Sequence, residues 1–185
     1  MSEIRIETER LILRRMRDDD LADYLACESQ PGHTLYLSRE PYTEEEARSF
    51  IATSRDLPLD AEGAYLHLAI EHKETGRVIG TSCIKVNSRV HRQGDMGWFL
   101  HAGYRGRGLA TEASRAMLEF AFTTLDLHRI TAHCDGGNER SLLMAERLGM
   151  QREAFFRETV FFDGEWHSQH GLSILRREWE EGRGG

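Results

Sequence analysis

Gly97-Trp98-Phe99-Leu100-His101-Ala102-Gly103-Tyr104-Arg105-Gly106-Arg107-Gly108-Leu109-Ala110-Thr111-Glu112-Ala113 joins two periodicities. Upstream, Gln93 to His101 reads as a strand carrying Trp98, Phe99 and Leu100. Downstream, Leu109, Ala113, Met117, Phe120, Ala121 and Leu125 recur at helical spacing and predict a long amphipathic helix. Between them, glycines at 106 and 108 permit positive φ and remove Cβ atoms. Backbone N–H groups can then converge on an anion, with the helix's positive end behind them, an arrangement suited to a diphosphate. Each helix-end contact is worth about 0.3–1 kcal/mol, so several donors must act together. Taken alone, the turn also fits a ligand-free connection. A Walker A loop is excluded, because no Gly-Lys-Ser/Thr follows. Gly103, Gly106 and Gly108 give GxxGxG, the reverse of the dinucleotide-binding GxGxxG.

Outward from this turn, short strands and helices cover the chain. Arg10 to Arg14 reads as a first strand, and Asp19 and Asp20 precede a short helix with Leu21, Tyr24 and Leu25. Thr43-Glu44-Glu45-Glu46 is a capping box opening a helix that presents Ala47, Phe50 and Ile51 on one face. Ala64 to Glu71 and Val78 to Val86 alternate around the turn Lys73-Glu74-Thr75-Gly76, and with Gln93 to His101 they predict an antiparallel meander. Arg129 to Cys134 is a short strand. Asn138 starts a helix with Leu142, Ala145 and Leu148 inward, and Gly149 ends it. Gln151 to Phe162 and Trp166 to Leu175 flank Asp163-Gly164, a hairpin signal. The tail from Glu180 to Gly185 is expected to fray. The order is β-α-α-β-β-β-α-β-α-β-β: one mixed α/β domain over residues 1–185.

With 185 residues, 39% hydrophobic and 30% charged, the composition is that of a soluble globular protein. No apolar run approaches the roughly 20 residues of a membrane span, and Met1-Ser2-Glu3-Ile4-Arg5 does not read as a signal peptide. A net charge of −7 disfavours nucleic acid and attracts cations such as amines. Cys27, Cys83 and Cys134 are odd in number and form no CxxC pair, which fits reduced thiols in the cytoplasm. The Asp18-Asp19-Asp20 run reads as a solvated helix start, and no His/Cys cluster has zinc spacing, so no metal is expected.

Arg105 to Ala110 resembles the Arg/Gln-x-x-Gly-x-Gly/Ala pattern of the GNAT N-acetyltransferase superfamily. Thr8 to Arg14, Gly97 to Leu100, Thr111-Glu112-Ala113, Asn138-Glu139-Arg140-Ser141, Arg147 to Met150 and Ile174 to Trp179 are similar to its ribosomal-protein (RimJ/RimL-type) branch, in the family's order and over almost the whole chain. The resemblance implies a mostly antiparallel sheet with flanking helices, in which the strand ending at Phe99, Leu100 and His101 splays from the strand starting at Arg129. Acetyl-CoA would thread that gap. Its pyrophosphate would rest on the backbone of Arg105, Gly106, Arg107, Gly108, Leu109, Ala110 and Thr111, and Asn138 and Ser141 would also contact the cofactor.

Acyl transfer to an amine requires a neutral amine, a stabilised oxyanion and a stabilised or protonated thiolate. Asn138 and Ser141, at N-cap and N3, read as a helix cap. By the resemblance, Ser141 also approaches the cofactor's sulfur, and it is favoured as the leaving-group partner because Ala145 stands where many family members carry a tyrosine acid. Asp95 is the leading base candidate, because the resembled branch often has an acidic residue there, on the strand beside the acceptor; it is weighed equally against a solvated strand-end aspartate. His133 is a second candidate, more simply a packed or surface histidine. Cys134 reads as a buried structural cysteine.

The branch implies acetylation of a protein N-terminal amine. An α-amino group has a pKa of about 7.7–8.0 against about 10.4 for lysine, so deprotonating it near neutrality costs about 1 kcal/mol rather than about 4–5. The alternatives are a small-molecule amine (antibiotic, polyamine or amino acid), a non-catalytic CoA-binding module and, ranked last, a nucleotide-binding oxidoreductase. The partners expected are acetyl-CoA and the amine, with a homodimer left open and neither nucleic acid nor membrane engaged directly. Gln30 to Leu59, with Tyr36 and Tyr42, would shape the acceptor pocket.

Overall fold

The computed structural model describes residues 4–30, 36, 39–59 and 61–182. Eight strands form one sheet: β1 (Arg5–Glu7), β2 (Leu11–Arg15), β3 (Tyr65–His72), β4 (Arg77–Ser88), β5 (Gln93–Leu100), β6 (Arg129–Asp135), β7 (Gln151–Phe162) and β8 (Glu165–Leu175). Among the described residues five α-helices accompany it: α1 (Leu21–Glu28), α2 (Glu44–Asp56), α3 (Leu109–Thr123), α4 (Glu139–Arg147) and α5 (Arg176–Gly182). The strand order is β1-β2-β3-β4-β5-β6-β8-β7. β3, β4 and β5 form the expected meander, and every pairing is antiparallel except β5 with β6. Among the described residues no helix is long and apolar enough to cross a membrane.

Local chemistry explains most boundaries. The Thr43 capping box holds, with Thr43 Oγ1 accepting from Glu46 N–H and the Glu46 carboxylate from Thr43 N–H. Asp163 and Gly164 both take positive φ, as a tight primed hairpin turn requires. Two features depart from the sequence reading. Ile4, Ile6 and their neighbours are too few to signal β1, which the chain's second strand recruits through Arg5↔Arg14 and Ile6↔Leu13. The expected frayed tail is helical as far as Gly182, because Trp179 of α5 packs against Phe122 and Arg176 bonds the Leu127 carbonyl; residues 183–185 lie outside the described residues.

The two faces of the sheet differ in what covers them. Alternate residues Leu66, Leu68 and Ile70 of β3, Met96 and Leu100 of β5, and Ile130, Ala132 and Cys134 of β6 join α3 and α4 in the main apolar core. On the opposite face Ala69 and Val78 pack with Tyr24, Ala47 and Ile51 of α1 and α2. Asp20 also corrects the reading of the aspartate run as solvated. It is buried, and both carboxylate oxygens accept from the buried Arg14 guanidinium at 2.8 Å. Arg14 reaches Glu71 as well, so this ion pair ties β2 and β3 to the start of α1.

Candidate active site

β5 and β6 pair only at Gln93↔Arg129, Gly94↔Ile130 and Asp95↔Thr131. β5 continues to Leu100 and β6 to Asp135 without further pairing between them, so the sheet splits into a V whose apex is Asp95. The expected splay is present.

The arm of the V formed by β5 leads into the glycine turn. Phe99 and Leu100 end the strand, paired with Thr81 and Gly80. Leu100 is buried, and its carbonyl accepts from Arg105 Nε at 3.0 Å. His101 Nδ1 receives Gly103 N–H at 3.0 Å and caps a 3-10 turn over Ala102–Tyr104, where Arg105 N–H donates to the Ala102 carbonyl. Arg105 is therefore spent on shaping the loop. Gly106 and Gly108 have φ of 76° and 77°, and a Cβ at Gly106 would meet nothing within 4 Å. Gly108 is the N-cap of α3. The first intrahelical bond runs from Glu112 N–H to the Gly108 carbonyl at 3.0 Å, so the N–H groups of Leu109, Ala110 and Thr111 precede the helix ladder. Leu109's side chain is buried in the core, and its backbone alone faces the cradle.

Two segments of the family resemblance meet here. Glu112 Oε1 accepts from Thr8 Oγ1 at 2.5 Å and Arg10 N–H at 2.8 Å, and Glu112 Oε2 accepts from Arg10 Nε at 2.7 Å. Arg10 also donates to the Arg107 carbonyl at 2.9 Å. Burial pushes the Glu112 pKa up, but the hydrogen bonds from Thr8 and Arg10 outweigh it and hold the carboxyl below its ordinary value. The cradle is thus clamped from outside by the chain's first described segment.

The other arm carries Asn138 and Ser141. Asn138 Oδ1 accepts from Ser141 N–H at 3.2 Å, the cap expected of it. Ser141 Oγ accepts from the Cys134 thiol at 3.4 Å, which leaves the hydroxyl's own proton to donate elsewhere. Cys134 is buried as expected, and burial raises its pKa, the hydrogen bond to Ser141 acting the other way.

Asp95 is not a solvated strand-end residue, since it is only 5% exposed. Its Oδ1 accepts from the Tyr65 hydroxyl, and its Oδ2 from Thr131 Oγ1 at 2.7 Å. His133 Nδ1 lies 3.1 Å from the same Oδ2, while the His133 side chain is 46% exposed. Burial first, and then the bond to Asp95, raise the Tyr65 pKa. Burial, with the Asp95 charge beside it, pushes the Cys83 thiol up to about 12. Farther along this face, burial brings His67, stacked edge-on against Phe50, down to about 4. The pairing of Asp95 with His133 was hidden in the sequence, because it depends on a parallel strand contact between residues 38 positions apart.

Next along β6, Asp135 accepts from Gly137 N–H at 2.8 Å and pairs with His167 Nδ1 at 3.2 Å. These residues border an open pocket of about 630 Å³ also lined by Tyr36, Phe155 and Trp166. Of the segment expected to shape the acceptor site, Tyr36 and Tyr42 are described, Tyr42 packing against Tyr24 and Phe50. Residues 31–35, 37, 38 lie outside the described residues. Among the described residues no group of three His, Cys, Asp or Glu side chains could hold a metal ion.

A family model described as an acetyltransferase (GNAT) domain matches residues 10–151. The chain is 34% identical over 175 residues to the N-acetyltransferase p20 of Bacillus licheniformis, covering 93% of this chain and 96% of that one. It is 25% identical to the [ribosomal protein uS5]-alanine N-acetyltransferase of Escherichia coli, over 97% and 95% of the two chains. It is also 25% identical to the spermidine N(1)-acetyltransferase of the same organism, over 90% and 87%. The crystal structure of a GNAT-family acetyltransferase from Bacillus anthracis superposes with a TM-score of 0.83 at 25% identity, over 94% of this chain and 99% of that one.

Proposed function

Because the chain belongs to the GNAT acetyltransferase family, we propose that it transfers the acetyl group of acetyl-CoA to the α-amino group of a protein N-terminus. The observation that carries the reading is the V itself, with Asp95 at its apex and the glycine cradle on one arm. The N–H groups of Leu109, Ala110 and Thr111, with those of Gly106, Arg107 and Gly108, receive the diphosphate at the positive end of α3. Phe99, Leu100 and His101 flank the pantetheine arm along the open edge of β5. Asn138 and Ser141 meet the cofactor from the β6 side.

The two faces of the sheet divide the chemistry. Ser141 sits with Cys134 on the face covered by α3 and α4 and hydrogen-bonds the departing thiolate. A serine hydroxyl is too weak an acid for full proton donation, so it acts by hydrogen bonding or through water. Asp95 lies on the other face, where its buried carboxylate supplies the negative charge that favours loss of the amine's proton. An α-amine needs little help, since its pKa lies about 2.5 below that of lysine. The relationship to the uS5-alanine enzyme supports this acceptor. A second reading, a small cationic amine, is favoured by the aromatic and acidic lining around Asp135 and by the relationship to the spermidine enzyme.

The deciding experiment follows free thiol release from acetyl-CoA across N-terminal peptides, spermidine and other small amines. The proposal expects turnover on a peptide α-amine, blocked by prior acetylation of that terminus. Turnover on spermidine alone replaces the acceptor, and acetyl-CoA binding without turnover on any amine removes the activity.

A further inference from the structure

His133 stands out because it joins a buried carboxylate to the protein surface. Nδ1 is 3.1 Å from Asp95 Oδ2. The imidazole as a whole is 46% exposed, one strand step before the Asp135 pocket begins. The register places Gly171 opposite His133, and a Cβ at Gly171 would come within 2.9 Å of Phe156 Cε2. The missing side chain lets the Phe156 ring lie beside the imidazole, at 6.1 Å between centroids. The result is a half-exposed imidazole beside an aromatic ring, backed by a buried carboxylate.

Asp95 is poorly placed to take a proton directly. Three donors already occupy its oxygens, and it is nearly closed to solvent. An ionised carboxylate can only accept, so the nitrogen facing it must carry hydrogen, and the remaining nitrogen is then the basic one. Tyr65 and Thr131 fix the carboxylate from two other strands. From this arrangement we infer that His133 Nε2 is the group that takes the amine's proton, and that Asp95 is a positioning residue that sets the imidazole's tautomer and steadies its charge. The inference rests on the acetyltransferase reading and names the proton's route within it. The amine lone pair forms the N–C bond to the thioester carbonyl, and the proton shed by nitrogen passes to His133 Nε2. The C–S bond breaks, and the thiolate is protonated from solvent beside Ser141. The sum is amine plus acetyl-CoA to amide plus CoA thiol, with the His133 proton returned to solvent.

His133→Asn and His133→Ala separate this role from a structural one. The asparagine amide can still donate to Asp95 but has no basic nitrogen in place of Nε2. Both variants are expected to lose about 100-fold in kcat at saturating acceptor with unchanged acetyl-CoA affinity, and added imidazole should restore part of the His133→Ala loss. Full activity in His133→Asn would overturn the role, as would His133→Ala at the parent rate. A second measurement needs no acceptor. Nitrogen-15 NMR of the imidazole should find hydrogen on Nδ1 in the parent and on Nε2 in Asp95→Asn, where the new amide can donate. A parent with hydrogen on Nε2 overturns the inference even if turnover is found. A parent with the expected tautomer that acetylates no amine in the panel overturns instead the functional reading beneath it.

Discussion

The proposed cofactor arm and the proposed proton-handling side of this site are built on opposite plans. The cradle is made of backbone. Its donors are consecutive N–H groups, its shape comes from two glycines at positive φ, and its side chains either pack away, as Leu109 does, or clamp it from behind, as Glu112 does through Arg10 and Thr8. The proton-handling side is made of side chains gathered from four strands, Tyr65, Cys83, Asp95, Thr131 and His133, with hardly any local sequence relation among them. A backbone site tolerates many side chains provided the chain can adopt the turn. A side-chain site tolerates few changes, because each partner satisfies another.

The comparison predicts where damage falls. Asp95→Asn should produce the largest effect of the three, a fall in kcat approaching the roughly 100-fold expected for loss of His133 itself, with acetyl-CoA affinity unchanged, since the imidazole loses the partner that fixes its tautomer. Steady-state kinetics with calorimetry checks this, and equal losses in both quantities would break the division. Gly108→Val should do the reverse. A β-branched residue at φ of 77° carries about 1–3 kcal/mol of strain, so a folded variant should bind acetyl-CoA about 10–100-fold more weakly. Unchanged affinity would remove the cradle from the cofactor site. Ser141→Ala tests the seam between the two plans. Asn138 remains as cap, so fold and affinity should persist while kcat falls about 10-fold and at most about 100-fold. A parent rate with chemistry limiting would reduce Ser141 to a helix-start residue.

The smallest effect concerns stability. His67 sits at about 4 in the fold against an ordinary value near 6.5, because burial disfavours its charged form. Below about pH 6.5 the unfolded chain takes the proton first. The stability linked to His67 is therefore fully present above that pH and is lost as pH falls towards 4, about 3 kcal/mol in all. Across this range the melting temperature of the parent should fall relative to that of His67→Leu as pH falls, and a constant difference would count against it.

What could be read before the structure follows the same division. The turn and α3, the Thr43 capping box and the Asp163-Gly164 hairpin are written in neighbouring residues, so periodicity and turn chemistry were enough to find them. Asp95 could be named as a candidate from its strand and its family resemblance, but not as the centre of a network, because Tyr65 and His133 reach it only after β3 to β6 align. Asp20 shows the opposite failure. Three aspartates in a row read as solvated, and only the folded chain reveals that Arg14 draws one of them inside.

The clamp on the cradle has a consequence for the protein's birth. Arg10 and Glu112 stand 102 positions apart. A ribosome adding about 5–20 residues per second makes the first wait about 5–20 s for the second. In that interval Thr8 and Arg10 lack the carboxylate that will hold them, and β2 has only β1 beside it until β3 emerges. The proposed cofactor cradle therefore closes late, when most of the chain has left the tunnel, and a translational pause before Glu112 lengthens the time that Leu11, Ile12 and Leu13 spend exposed.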